Sequence, residues 1–271
     1  MSDIIAVTPS NVFDRQKMKY LLASAVVNRF HLNVIGVGQP FAYISKILYL
    51  HEYLLKLPAE SNPIICFTDA YDVIYLDNLD TIKDKFLLFG ADIVWSVERY
   101  YSYQLTMDQE FYNSITADSA SPYKYINTGT FIGYKDALLN LLNDIVNGSI
   151  KNEKFLDELA KNHGNQTSHE RYNLQTYAVD QTIFSHHIAT NWNKYNIVLD
   201  TQCLIFYLPC HDLFAINAHI DGTMKILSTG NTPSIIHVPN KVCFEYLLKD
   251  LFVRKYKYIP DGSEYVEEKN T

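Results

Sequence analysis

Cysteine is scarce, with four in 271 residues (Cys66, Cys203, Cys210 and Cys243), and no two of them form a CxxC pair. That scatter excludes a zinc ribbon or knuckle and predicts free, buried thiols, with the Cys210 and His211 neighbours read as packing because no second close pair joins them. Basic surplus is also missing: 23 Lys and Arg against 30 Asp and Glu give a formal charge of −7 and a pI near 5.7. This argues against a duplex nucleic-acid partner, which would require a basic face. No apolar run approaches the roughly 18 residues needed to cross a bilayer. The opening "MSDIIAVTPS" has no basic segment ahead of an apolar run, so it does not read as a secretory signal. The expectation is a soluble, cytoplasmic protein without a membrane partner. Repeats, low-complexity tracts and dividing linkers are absent as well, which predicts a single domain over 1–271 with a polar tail from about 261.

What the chain does contain is alternation. "IIAVT" reads as a first strand, an amphipathic segment from Arg15 to Arg29 as a helix, and "LNVIGVG" as a second strand. A helix from about Tyr43 to Leu57 precedes "PIICFT", whose near-continuous apolar character suits a strand covered on both faces. A short helix near Leu79 to Phe86 and the strand "ADIVWSV" follow. The segment from Arg99 to Tyr125 is polar, aromatic and weakly periodic, and reads as a long surface excursion. "YINTGTFIGY" reads as a strand interrupted by Asn-Thr-Gly, "KDALLNLLNDIV" as an amphipathic helix, and roughly 147–175 as a polar insertion. "VDQTIFSHHI" begins a further helix at Asp180. Short strands around Ile197, Leu204 to Tyr207 and Ile235 to Val238 precede a last helix over Phe244 to Tyr256. The pattern predicts an α/β fold, a sheet with helices on both faces, and ligands beyond the carboxyl ends of its strands.

Asp69 and Asp72, in "CFTDAYDVIY", stand at such an end. A DxxD spacing arises readily by chance, and "LDNLDTI" holds a second copy in Asp77 and Asp80. Those two precede a helical pattern and read as caps or first-turn acids. Asp69 instead closes a buried strand, where a carboxylate must reach solvent, find donors or bind a cation. Two acids in one turn also repel each other unless a positive charge sits between them. A hard divalent ion meets that need, and a structural turn is the competing reading.

Read together and in order, "FTDAYDVIY", "WSVE", "YINTGTFIGY", "VDQTIF" and "SIIH" resemble the glycosyltransferase domain of the procollagen lysyl hydroxylases and related collagen glycosyltransferases. The resemblance runs from about Ile4 to Lys241. It implies a GT-A fold, a Rossmann-like mixed sheet flanked by helices on both faces, that binds a UDP-sugar donor and Mn²⁺, with Mg²⁺ as the alternative. It implies metal ligation by Asp69, Asp72 and His237, nucleotide contacts by Thr8 and Tyr71, and stacking of Phe41 where relatives carry tryptophan. Lys46 matches a basic position near the donor. Asn127 and Gly129 match the positions that present a polar side chain and open backbone to the sugar. Ser96 and Glu98 match a short Ser-x-Glu step. Asp180 and Gln181 match the end of an acidic run that is reduced here to "AVDQ", which makes Asp180 the candidate for touching the transferred sugar or the acceptor hydroxyl. Its other role, compatible with the first, is to cap the following helix. Relatives place a glycine-containing loop and a lysine after the histidine, where this chain reads "HVPNKV" with Lys241.

The implied reaction moves a hexose, glucose or galactose, to hydroxylysine or galactosyl-hydroxylysine of a collagen-like protein. The resemblance implies retention of configuration, and front-face substitution is its expected form because no residue reads as a covalent nucleophile. Three alternatives stand beside it: an inverting galactosyltransferase with Asp180 or Glu98 as base, a UDP-sugar-binding protein without catalysis, and a phosphohydrolase.

Overall fold

The computed structural model describes residues 3–40, 44–101, 106–150, 179–209, 224–226, 228–239, 244–257 and 260. Phe41, Lys241, Cys210, Cys243, nearly all of the polar insertion and the tail lie outside them.

The main sheet has six strands in the order β2-β1-β3-β6-β5-β7. These are β1 (Ile4–Pro9), β2 (Leu32–Ile35), β3 (Ile64–Thr68), β5 (Ile93–Glu98), β6 (Tyr125–Tyr134) and β7 (Ile197–Leu199). β1 runs parallel to both neighbours and β7 parallel to β5, whereas β6 is antiparallel to β3 and to β5. The sheet is therefore mixed, as expected.

Continuous apolar strands form because both faces are covered. One face packs Val7, Ile65, Phe67, Phe131 and Trp95 into the larger core, and the other packs Ala6, Cys66, Ile132 and Val94 into the smaller. On the larger side the rings of Phe67, Phe131 and Trp95 stack in series at 4.6 and 4.4 Å. Helix α2 (Ser45–Lys56) covers that side with Ile47, Leu50 and Leu54, and α5 (Lys135–Asp144) with Leu138, Leu141 and Leu142. Helix α1 (Lys19–Val27) covers the opposite face through Leu21 and Ala25, and α3 (Leu79–Leu87) through Ile82 and Phe86. The buried thiols of Cys66 and Cys203 are free.

Strand order reverses between β2-β1 and β3, and a crevice opens at such a point beyond the carboxyl ends of the strands. A second, three-stranded sheet borders it, in the order β4-β9-β8, formed by β4 (Val73–Tyr75), β8 (Phe206–Tyr207) and β9 (Ile235–His237). Helix α6 (Val179–Thr190) packs on β6 through Ile183 and Phe184, and α7 (Phe244–Tyr256) packs on α1.

Two expectations change. The excursion after Arg99 contains α4 (Thr106–Ile115), which packs against α6; Tyr112 donates its hydroxyl to Ser185 O at 2.7 Å. Asp180 lies inside the first turn of α6, with its side chain turned to other partners, so it is not the cap. In the second DxxD copy the cap is Asn78, which accepts from Thr81 N at 2.9 Å, and Asp80 is the first-turn acid.

Candidate active site

β3 ends at Thr68 and delivers Asp69, whose amide donates to Gly129 O at 2.7 Å. Four residues later, at Val73, the chain re-enters a strand, so Asp69 and Asp72 flank a tight turn at the mouth of the crevice. β4 then pairs antiparallel with β9, with Val73 opposite His237, and Val238 N donates to Asp72 O at 2.8 Å. That pairing carries His237 to the acids from 165 positions downstream of Asp72 in the chain (237 − 72). One ligand atom each from Asp69, Asp72 and His237 lies within 4.8 Å of the others, a grouping able to hold a metal ion.

The donor set is chemically suited to a divalent cation of borderline hardness, two carboxylates and an imidazole. His237 is 2% exposed and neither ring nitrogen has a hydrogen-bond partner, which is costly for a buried polar group unless something else occupies it. Its Nε2 stands 3.4 Å from Asp72 Oδ2 and 3.7 Å from Asp69 Oδ2. The two carboxylates keep about a quarter of their side-chain surface open, 23% and 24%. The residues present therefore fit a metal.

Lys46, in the first turn of α2, supplies the opposing charge. Its Nζ lies 3.0 Å from Asp69 Oδ1 and 2.8 Å from Asp180 Oδ2. Burial works to lower the ammonium pKa, but the pull of Asp180 and then Asp69 outweighs it, and the net direction is up. Burial raises the Asp69 carboxyl, and Lys46 opposes that while the like charge of Asp72 adds to it. For His237 burial again acts downward, but Asp72 and Asp69 carry the pKa above the ordinary imidazole value. Buried charge clusters with shifted pKa values of this kind concentrate at functional sites.

A second network lies beside the first. Glu98 Oε1 accepts from Gln181 Nε2 at 2.8 Å and from Asn127 Nδ2 at 3.4 Å, and Asn127 Oδ1 accepts from Gly129 N at 2.9 Å. Ser96 Oγ bridges the carbonyls of Thr130 (2.6 Å) and Asn127 (3.0 Å). Glu98, Asn127 and Gln181 are thus brought together, and all three are buried. Gly129 has a steric role: a Cβ there would come within 2.0 Å of His237 Cε1.

Thr8 is wholly buried and its hydroxyl has no partner, and Ser10, just past β1 and also buried, meets the Tyr71 hydroxyl through Oγ at 2.8 Å. Thr128, not singled out in the sequence, donates to Asp180 Oδ2 at 3.1 Å. Its only sequence signal was its place inside the Asn-Thr-Gly interruption.

The chain carries a glycosyltransferase domain. Residues 13–167, more than half of the chain, match the PLOD GT domain, and the chain belongs to that family. It is 26% identical over 192 residues to a procollagen-lysine,2-oxoglutarate 5-dioxygenase of Drosophila melanogaster, a match covering 71% of this chain and 23% of that protein. The chain thus spans less than a quarter of that relative's length. Among solved structures it is similar to apo mouse xyloside xylosyltransferase 1 (TM-score 0.46, 14% identity, 87% of this chain and 97% of that one). It is also similar to a glycosyltransferase involved in the glycosylation of the major capsid of PBCV-1 (TM-score 0.46, 11% identity, 92% and 98%). At these scores neither bears on what the chain acts upon. Among the described residues, no helix is long and apolar enough to cross a membrane.

Proposed function

We propose that this chain transfers a hexose, glucose in preference to galactose, from a UDP-sugar to hydroxylysine or galactosyl-hydroxylysine in a collagen-like protein, with Mn²⁺ or Mg²⁺ as the metal. The observation that carries the donor side is the Asp69, Asp72 and His237 cluster, in which buried His237 Nε2 faces both carboxylates without a hydrogen bond and Nδ1 has no hydrogen-bond partner, in a member of a glycosyltransferase family. The acceptor is suggested by the procollagen-lysine dioxygenase relative.

Asp69, Asp72 and His237 would hold the ion, which when bound supplies positive charge against the leaving diphosphate. Lys46 adds a fixed ammonium at the same corner, and such preorganised charge favours the transition state over the ground state. Tyr71 and Thr8, at the end of β1, line the nucleotide side, with Phe41 assigned to the base and Lys241 to the diphosphate. Asn127 and Gly129 border the sugar, supported from behind by Glu98 and Gln181. Asp180 faces the transferred sugar or the acceptor. In the retaining course, the acceptor oxygen bonds to the anomeric carbon on the face that UDP leaves. The old bond's electron pair departs with UDP, and the hydroxyl proton passes to the departing diphosphate.

The test is UDP release and product formation with a panel of UDP-sugars and Mn²⁺, with and without a hydroxylysine peptide. Transfer from UDP-glucose or UDP-galactose with retained anomeric configuration is expected. A folded protein that releases no UDP from any donor sinks the proposal, and inverted product overturns the front-face course.

A further inference from the structure

We propose that Thr128 is a positioning residue that decides which oxygen of Asp180 works on the substrate; this rests on the transfer reading above. Asp180 Oδ2 receives Lys46 Nζ at 2.8 Å and Thr128 Oγ1 at 3.1 Å, both on the same atom. Among the described residues no hydrogen bond reaches Oδ1. A lysine ammonium is a compact charge on a flexible stem with rotatable donors, so by itself it attracts the carboxylate without defining its rotation. A second, directional donor on the same oxygen does define it. Oδ2 becomes the inward, structural oxygen and Oδ1 the one presented to a hydroxyl of the sugar or acceptor. Lys46 divides Asp69 similarly, meeting Oδ1 at 3.0 Å and Oδ2 only at 3.4 Å, and Oδ2 is the oxygen nearer His237.

Thr128 can act this way because its backbone is held on both sides. β6 pairs with β5 at Phe131 opposite Trp95 and again at Ile126 opposite Val97, and the register shifts between them, so 127–130 form a bulge over Ser96. Bulges of this kind re-aim side chains next to active sites. The carbonyls on either side of it are tied down, Asn127 O by Trp95 Nε1 at 2.9 Å and by Ser96 Oγ, and Thr130 O by Ser96 Oγ. A flat strand would alternate side chains past this point. The bulge instead aims Thr128 at the first turn of α6 while Asn127 reaches Glu98. Thr128 is 4% exposed, so water does not compete for the contact.

The experiment compares wild type, Thr128→Val and Thr128→Ser by steady-state transfer and by calorimetric binding of UDP and of UDP-sugar with Mn²⁺. Valine matches threonine in shape and lacks the donor; its melting temperature is expected to stay within a few degrees of wild type. Thr128→Val is expected to lose roughly 10- to 100-fold in kcat. It should also weaken UDP-sugar binding while leaving UDP binding unchanged, and Thr128→Ser should restore both. Equal losses for UDP and UDP-sugar would make Thr128 merely structural and overturn the inference. So would a valine variant indistinguishable from wild type, or a serine variant as poor as valine. If wild type neither bound nor turned over any UDP-sugar, the transfer reading would fall first, and this role with it.

Discussion

The imidazole of His237 occupies the space that a side chain at Gly129 would need, since a Cβ on residue 129 would stand 2.0 Å from Cε1 and 2.6 Å from Nδ1. His237 is enclosed and cannot swing away, and the backbone of Gly129 is fixed by its carbonyl bond to Asp69 N. Gly129→Ala is expected to displace the ring, and calorimetry should show Mn²⁺ affinity at least about tenfold weaker. Unchanged affinity would refute the packing argument.

Removing a ligand tests the cluster more directly. Asp69→Asn and Asp72→Asn should each abolish the rise in melting temperature that Mn²⁺ or Mg²⁺ produces in the wild type, as should a chelator. UDP release should fall by about a hundredfold or more in both variants. A wild type with no metal-dependent stabilisation would count against the site.

Lys46 is flanked by two carboxylates, so its loss leaves like charges without compensation. Lys46→Met is expected to destabilise the protein by about 3–5 kcal/mol in urea unfolding. Lys46→Met combined with Asp180→Asn should recover part of that loss, because one uncompensated charge is then gone. Strict additivity of the two substitutions would show that they are not coupled.

Asp200 provides a pH signature away from the cluster. Its carboxylate is wholly buried and accepts from Leu204, Ile205 and Phe206 amides, each at 2.8 Å. Burial nonetheless pushes its pKa up from 3.8 to about 6. The folded state therefore holds this proton more tightly than the unfolded chain, and the contribution is full below about pH 4 and lost as pH rises through about 6. Asp200→Asn cannot titrate, so its stability deficit relative to wild type should be smaller at pH 7 than at pH 4.5, by about 2 kcal/mol. Urea unfolding at both values checks the sign.

Much of this molecule was legible in the chain. β1, β3, β5 and β6 are long or continuously apolar, and two-sided burial leaves that mark; α2, α5 and α7 carry apolar faces at helical spacing. α4 escaped because polar residues dominate its segment, with Phe111 and Tyr112 as its only aromatics, so its contact with α6 is visible only in three dimensions. β4 escaped because three residues after a turn are too few to show a period.

The sequence by itself determined that Asp69 ends a buried strand, and a carboxylate so placed needs a counter-charge. It also marked Asp180 and Lys46 by their resemblance to a known family. Only the tertiary structure decided which charges meet which. Val73 pairs opposite His237 through β4 and β9, and Ser96 pins the bulge that turns Thr128 toward Asp180. The reason is physical: strand register and bulge geometry are settled by long-range backbone pairing, and no local pattern of residues encodes which distant strand completes it.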